Sequence, residues 1–275
     1  MLVSKRFYLS RVKMLSLLDE LEAADSAARS LYLPSGLSHP EVEDLLKEVF
    51  DTRDIPAELA KLAVSSTTGS AIFRGSSRRC LVSPPFPIRE KRFANGYAVG
   101  PLRSLLKRDF TIALILVRLG AYAVGLCQGD KLVASKVGTG LIHGRHKKGG
   151  SSQQRFQRHR EKQIESFLDR VCCHVQEKLK PQARTLDYLV YGGARTTILS
   201  LQKRCPFLQQ FDNRTLAPLL DIPDPRQVVL EMAVGRVWSS NLVEWYDDEG
   251  SNSTPLSKGL RGRLTWPASS IFMQT

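Results

Sequence analysis

Three apolar runs in close succession constrain this chain more than any other feature. Thr111 to Val117 is a run rich in β-branched and apolar residues, and Leu119-Gly120 separates it from Tyr122 to Leu126. Gln128-Gly129-Asp130 then separates that run from Leu132 to Val137. Short runs of this composition, joined by tight glycine-containing turns, predict three adjacent antiparallel strands, a meander. The first strand carries no polar residue between Ile112 and Val117, which suits a central position covered on both faces.

Gly138-Thr139-Gly140 ends the meander, and the texture then changes to glycine and cations. A long helix is predicted from about Gln153 to Leu179, stopped by Pro181. At about 100° per residue, Phe156, Ile164, Phe167, Leu168, Val171 and Val175 form one apolar stripe. Arg155, Arg158, His159 and Lys162 fall on roughly the opposite face. Asp187 to Tyr191 reads as a further strand, Ala194 to Lys203 as a helix, and Asp224-Pro225 opens a helix running to about Trp238. The order β-β-β-α-β-α with a late helix predicts a mixed α/β domain over residues 109–246, with helices packed on one sheet.

The preceding chain reads differently. Residues 1–68 are expected to be mainly helical. Met14 to Ala24 repeats leucines on one face, Ser38 with Pro40 opens a second helix, and Pro56 to Val64 forms a third. Residues 69–108 are expected to form a hairpin, Ala71-Ile72-Phe73 against Cys80-Leu81-Val82, followed by a linker. Pro84-Pro85-Phe86-Pro87 is the expected domain boundary, and residues 247–275 read as a flexible tail.

Charge narrows the function. Lys and Arg number 40 against 27 Asp and Glu, a formal net charge of +13, which points to a polyanionic partner. The charge is clustered. Arg145, Lys147, Lys148, Arg155, Arg158, Arg160 and Lys162 face a single acid, Glu161, within the same stretch. The longest apolar stretch, Ile112 to Val117, is too short to cross a bilayer, so no membrane partner is expected. The five cysteines show no CxxC spacing and mostly lie in apolar surroundings. They read as reduced core thiols of a cytoplasmic protein.

The segment from Gly144 to Gln153 reads GRHKKGGSSQ. Gly149 and Gly150 free the backbone for close approach to another molecule. Ser151 or Ser152 suits a helix N-cap, and the helix start offers unpaired N–H groups to a phosphate or a developing oxyanion. The Gln153 amide both donates and accepts, as positioning a water requires. These residues alone leave open whether the segment catalyses or only binds phosphate.

His146 through Arg160, HKKGGSSQQRFQRHR, resembles the catalytic loop and following helix of archaeal and eukaryotic class I release factors. Gly149-Gly150 and Arg155-Phe156 match that family in type and spacing, but Ser151 stands where the family has its glutamine. The pattern Gly149, Gly150, one variable residue, Ser152, Gln153 resembles instead the Vms-like release factors, the ribosome-rescue branch. The resemblance extends over about residues 110–240, through Val117 to Lys136 and Leu189 to Ala194. It implies a ribonuclease-H-like central domain and a ribosome-dependent peptidyl-tRNA hydrolase. Gln153, with Gly149, Gly150 and Ser152, would be catalytic. Arg145, His146, Lys147, Lys148, Arg155, Arg158, His159 and Lys162 would hold RNA. The implied partners are the large ribosomal subunit at its peptidyl transferase centre, ribosomal RNA and peptidyl-tRNA.

Two other outcomes share that resemblance: a catalytically inactive ribosome- or RNA-binding relative, and an endonuclease acting near the 3′ end of transfer RNA. A two-metal nuclease is disfavoured because the first strand has no internal acid, and Asp109, Asp130 and Asp187 fall at strand ends or turns. Zinc binding by His143, His146 and His159 is opposed by the surrounding cations. No metal and no cofactor is expected.

Overall fold

A computed structural model of the protein describes residues 2–24, 27–51, 56, 58–76, 78–142 and 151–247. The chain divides into two compact units. One runs to Arg108 and resumes at Gly235; the other spans Asp109–Val234.

The first unit is built on a six-stranded antiparallel sheet. Its strands are β1 (Leu2–Leu9), β2 (Arg29–Leu33), β3 (Ser70–Arg74), β4 (Arg79–Ser83), β5 (Arg92–Asn95) and β11 (Ser240–Asp247), in the order β1-β11-β4-β3-β2-β5. Alternate residues of the inner strands feed two cores. Tyr32, Phe73, Val82 and Leu242 pack with α1 (Arg11–Glu22) and α4 (Gly100–Lys107). Leu31, Ile72, Leu81 and Val243 pack with α2 (His39–Val49) and α3 (Leu59–Val64). Apolar cover on both faces explains why β3 and β4 read as unbroken apolar runs. Ser38 starts α2 in a capping box, its backbone N–H donating to Glu41 Oε2 at 2.7 Å.

This corrects the expectation of a mainly helical region over 1–68. The three expected helices are there, but β1 and β2 accompany them. Pro84-Pro85-Phe86-Pro87 is no boundary either: it lies within the first unit, and Phe86 is fully buried against Trp238. Likewise β11, expected in the 109–246 domain, pairs with β1 and β4. Residues 248–275 lie outside the described residues.

The second unit is a mixed α/β structure. The strands β6 (Thr111–Arg118), β7 (Ala121–Gln128) and β8 (Lys131–Thr139) form the antiparallel meander, Ile115 facing Val124 and Val124 facing Lys136. β9 (Tyr188–Gly193) lies parallel to β6, and β10 (Thr215–Leu220) parallel to β9, giving the order β10-β9-β6-β7-β8. The helices α5 (Ser151–Leu179) and α6 (Arg195–Arg204) cover one face, where Phe167, Val171, Val175, Ile198 and Leu201 meet Ala113, Ile115 and Val124. On the other face, Ser135 of β8 donates to Gln227 at the start of α7 (Gln227–Val237), 3.2 Å away. Cys172 on α5 is bonded to Cys205, just past α6, with their Cα atoms 5.5 Å apart. The five cysteines are therefore not all reduced thiols, because the packing of α5 on α6 brings this pair within bonding reach.

Candidate functional site

The candidate site is the outer half of α5. Its 29 residues give a helix about 43 Å long, whereas the nine residues of β8 extend only about 30 Å. The two meet at one level. A side chain at Gly140 would run into the Phe167 ring, and Arg170 Nη1 donates to the Thr139 carbonyl at 3.2 Å. Phe167 is the outermost fully buried residue of the helix; Ile164, a turn further out, still packs partly against the core, and Ser151 begins about 24 Å beyond Phe167 along the axis.

Burial follows that geometry. Phe167, Leu168, Val171, Val175 and Leu179 are buried, while every residue from Gln154 to His159 is exposed. Local preference sustains the outer turns, since Gln, Arg, Glu and Lys are good helix formers. The Gln157 side chain also donates to Glu161 one turn on, at 3.0 Å. The electrostatics oppose the helix. There is no acid in its first turn, and Arg155 and Arg158 lie close to the positive end of the backbone dipole. A phosphate lodged there would relieve that repulsion.

Ser152 and Gln153 lie in the first turn of α5. Gly149, Gly150, Arg145, His146, Lys147 and Lys148 lie outside the described residues, as does His143. Arg155, Arg158 and Lys162 share an exposed stripe, and none of them has an ion pair among the described residues. His159 is exposed beside them. Periodicity misassigned Phe156, expected on the apolar stripe that packs on the sheet. It is 59% exposed, because the stripe continues in angle beyond the point where a sheet lies beneath it. The signal was available in length: Phe156 precedes Phe167 by three turns. Asp187 is occupied structurally, its Oδ2 accepting the Thr111 backbone N–H at 2.9 Å.

Residues 110–243 match the family model described as Actinobacteria/chloroflexi VLRF1 release factor. The resemblance is to release factors. Among curated relatives, peptide chain release factor subunit 1 of Aeropyrum pernix is 27% identical over 213 residues, covering 66% of this chain and 56% of that one. The protein of the same name from Saccharolobus solfataricus is 24% identical over 254 residues, covering 82% and 69%. That from Methanococcoides burtonii is 32% identical over 120 residues, covering 42% and 29%. This chain thus spans only part of the length of the relatives it matches. A crystal structure of an archaeal translation termination factor, aRF1, aligns at a TM-score of 0.37 and 18% identity, covering 84% of this chain and 73% of that one. Together the family match and the archaeal relatives support one superfamily, that of the release factors. Among the described residues no helix is long and apolar enough to cross a membrane.

Proposed function

We propose that this protein acts on ribosomes as a release-factor-like peptidyl-tRNA hydrolase, freeing nascent peptides from stalled complexes in the cytoplasm. The observation that carries this reading is a coincidence of place. Within the release-factor match, the Gly149-Gly150-Ser151-Ser152-Gln153 sequence leads directly into a helix end that is exposed and cationic. The strand order β10-β9-β6-β7-β8, with β6-β7-β8 antiparallel and β9 and β10 parallel to β6, supports assignment of the second unit as ribonuclease-H-like. The Gly-Gly-x-Ser-Gln spacing supports the Vms-like branch.

In the proposed reaction, water adds to the ester carbon joining the peptide to the terminal ribose. The bond to the ribose oxygen breaks, and that oxygen takes up a proton. Gln153 orients the water and stabilises the oxyanion; Gly149 and Gly150 let the backbone approach closely, beside Ser152. Arg145, His146, Lys147, Lys148, Arg155, Arg158, His159 and Lys162 hold ribosomal and transfer RNA, the cations among them on phosphates. The residues supply positioning and electrostatics in place of a strong general base, which suits a site completed at the peptidyl transferase centre.

The test is to incubate purified protein with ribosomes stalled on labelled peptidyl-tRNA and analyse both the peptide and the RNA 3′ end. Free peptide with an intact RNA end supports the proposal. A shortened RNA end identifies the endonuclease instead, and tight binding with neither product identifies an inactive relative acting by occupancy.

A further inference from the structure

Phe156 is an apolar ring 59% exposed in the outer turns of a charged helix, on a face where no core residue covers it. It shares the angular direction of Phe167, which is 1% exposed, but lies about 16 Å further out along the axis and is 59% exposed. His159 and Arg160 flank it within about 60° on either side. Arg155, Arg158 and Lys162 form a second stripe centred roughly 130° away around the helix. From Gln154 to Lys162 the only acid is Glu161.

We propose that Phe156 stacks on an unpaired nucleobase, while the Arg155, Arg158 and Lys162 stripe holds the phosphates of the same RNA. This rests on the reading of the chain as a ribosome-acting factor and names the contact by which α5 registers there. The chemistry favours RNA over a protein partner. A nucleic acid strand presents a planar π face and a run of negative charges on separate sides of its backbone, which matches a ring on one side of the helix and cations on another. A helix surface with five basic residues around one ring would otherwise need a matching cluster of acids. Stacking would also have a positional consequence. Gln153 lies one turn before Phe156, so a base seated on the ring sets how deeply the helix start enters the site. Phe156 is thus a positioning residue for the proposed chemistry.

The experiment measures equilibrium binding of the full chain, over a range of salt concentrations, to three probes. These are vacant large ribosomal subunits, large subunits carrying peptidyl-tRNA, and free transfer RNA. Phe156→Ala is expected to weaken binding about tenfold at every salt concentration, leaving the logarithmic salt slope unchanged. Phe156→Trp should restore binding and Phe156→Leu should not. Because the ring lies outside the core, circular dichroism melts of all three variants should match the parent. A loss seen with vacant subunits identifies a ribosomal base; a loss that needs transfer RNA identifies a base of that molecule. Wild-type affinity in Phe156→Ala overturns the inference, as does full rescue by Leu, which would show a protein-like apolar pocket. Binding is read without hydrolysis. A chain that stacks but releases no peptide would therefore overturn the catalytic proposal alone, whereas a wild-type chain that binds no probe overturns both.

Discussion

Arg204 at the end of α6 clasps Asp169 on α5 through two parallel hydrogen bonds, Nε to Oδ1 and Nη2 to Oδ2, each 2.8 Å. Glu165, one turn nearer the helix start, lies 3.5 Å from the same guanidinium. The clasp ties α5 to the body of the second unit just inside the point where its outer turns leave the sheet. Hydrogen bonding to Arg204 holds the Asp169 carboxyl below its ordinary range. A depressed carboxyl stabilises the fold fully above the ordinary carboxylate pKa, and that contribution disappears as pH falls through the lower folded value. Asp169→Asn is therefore expected to cost about 0.5–1 kcal/mol at pH 7, the range of an exposed pair, and progressively less in acid. Urea unfolding of both proteins at pH 7 and pH 3 checks this. An equal difference at both values would assign the effect to packing instead.

Gly193 closes β9 with φ +117, and a side chain there would strike the Val117 carbonyl on the neighbouring strand. Both the backbone conformation and the space exclude any other residue. Gly193→Ala should lower stability by about 2 kcal/mol or more, through backbone strain together with separation of β6 from β9. The midpoint of denaturant unfolding reads the effect, and an unchanged midpoint would place this turn in some other conformation.

The cysteines give a countable prediction. Cys173 is exposed, Cys80 and Cys127 are buried, and Cys172 is joined to Cys205. Burial pushes the Cys127 thiol up to about 12 and raises Cys80 as well, so neither forms thiolate readily near neutral pH. Maleimide should label Cys173 alone in the native protein, Cys80 and Cys127 as well after denaturation, and Cys172 and Cys205 only after reduction. The bond closes a sequence separation of 33, so reduction should destabilise the second unit by about 3–4 kcal/mol in the chain-entropy account. Labelling of all five thiols in denatured but unreduced protein would show that Cys172 and Cys205 are not bonded.

How much of this was legible depended on the range of the interactions involved. The meander could be read because each strand pairs with its neighbour across a short turn. The first sheet could not, because β1 pairs with β11, Leu9 opposite Ser240, and no local pattern reports a partner so distant in sequence. As an edge strand β1 also carries Lys5 and Arg6 exposed, which blurs its alternation. At the site, periodicity fixed the direction of Phe156 around α5 but not whether a sheet lay beneath it. That depends on relative lengths, 29 helical residues against nine in β8. The exposure of Arg155 and Arg158 followed more simply, because they oppose a stripe that is buried further along the helix.

Gln153→Ala should separate chemistry from affinity. The glutamine is assigned to the water and the oxyanion, and the cations of α5 to RNA. Losing one positioned donor typically lowers a rate by about 10²–10³. Peptide release should fall by that factor while binding to stalled ribosomes stays within twofold or so of the parent. If release is unimpaired, Gln153 is not the catalytic glutamine, and Gln154 becomes the residue to test.

Replacing Arg155, Arg158 and Lys162 together by glutamine should do the reverse. Each lost phosphate contact lowers the logarithmic salt slope of binding by about 0.7–0.9, so the triple variant should lose roughly two to three. The single-turnover rate on saturated ribosomes should change far less than the affinity. These side chains are exposed, and Arg155 and Arg158 lie at the helix end whose dipole repels cations. Glutamine is nearly as good a helix former, so the variant should melt at the same temperature or slightly higher. A gain in stability coupled to a loss of affinity would show that the fold tolerates unfavourable charge at this end of α5 for the sake of its ligand. A fall in melting temperature with unchanged binding would mean that these residues belong to the fold and that RNA is held elsewhere.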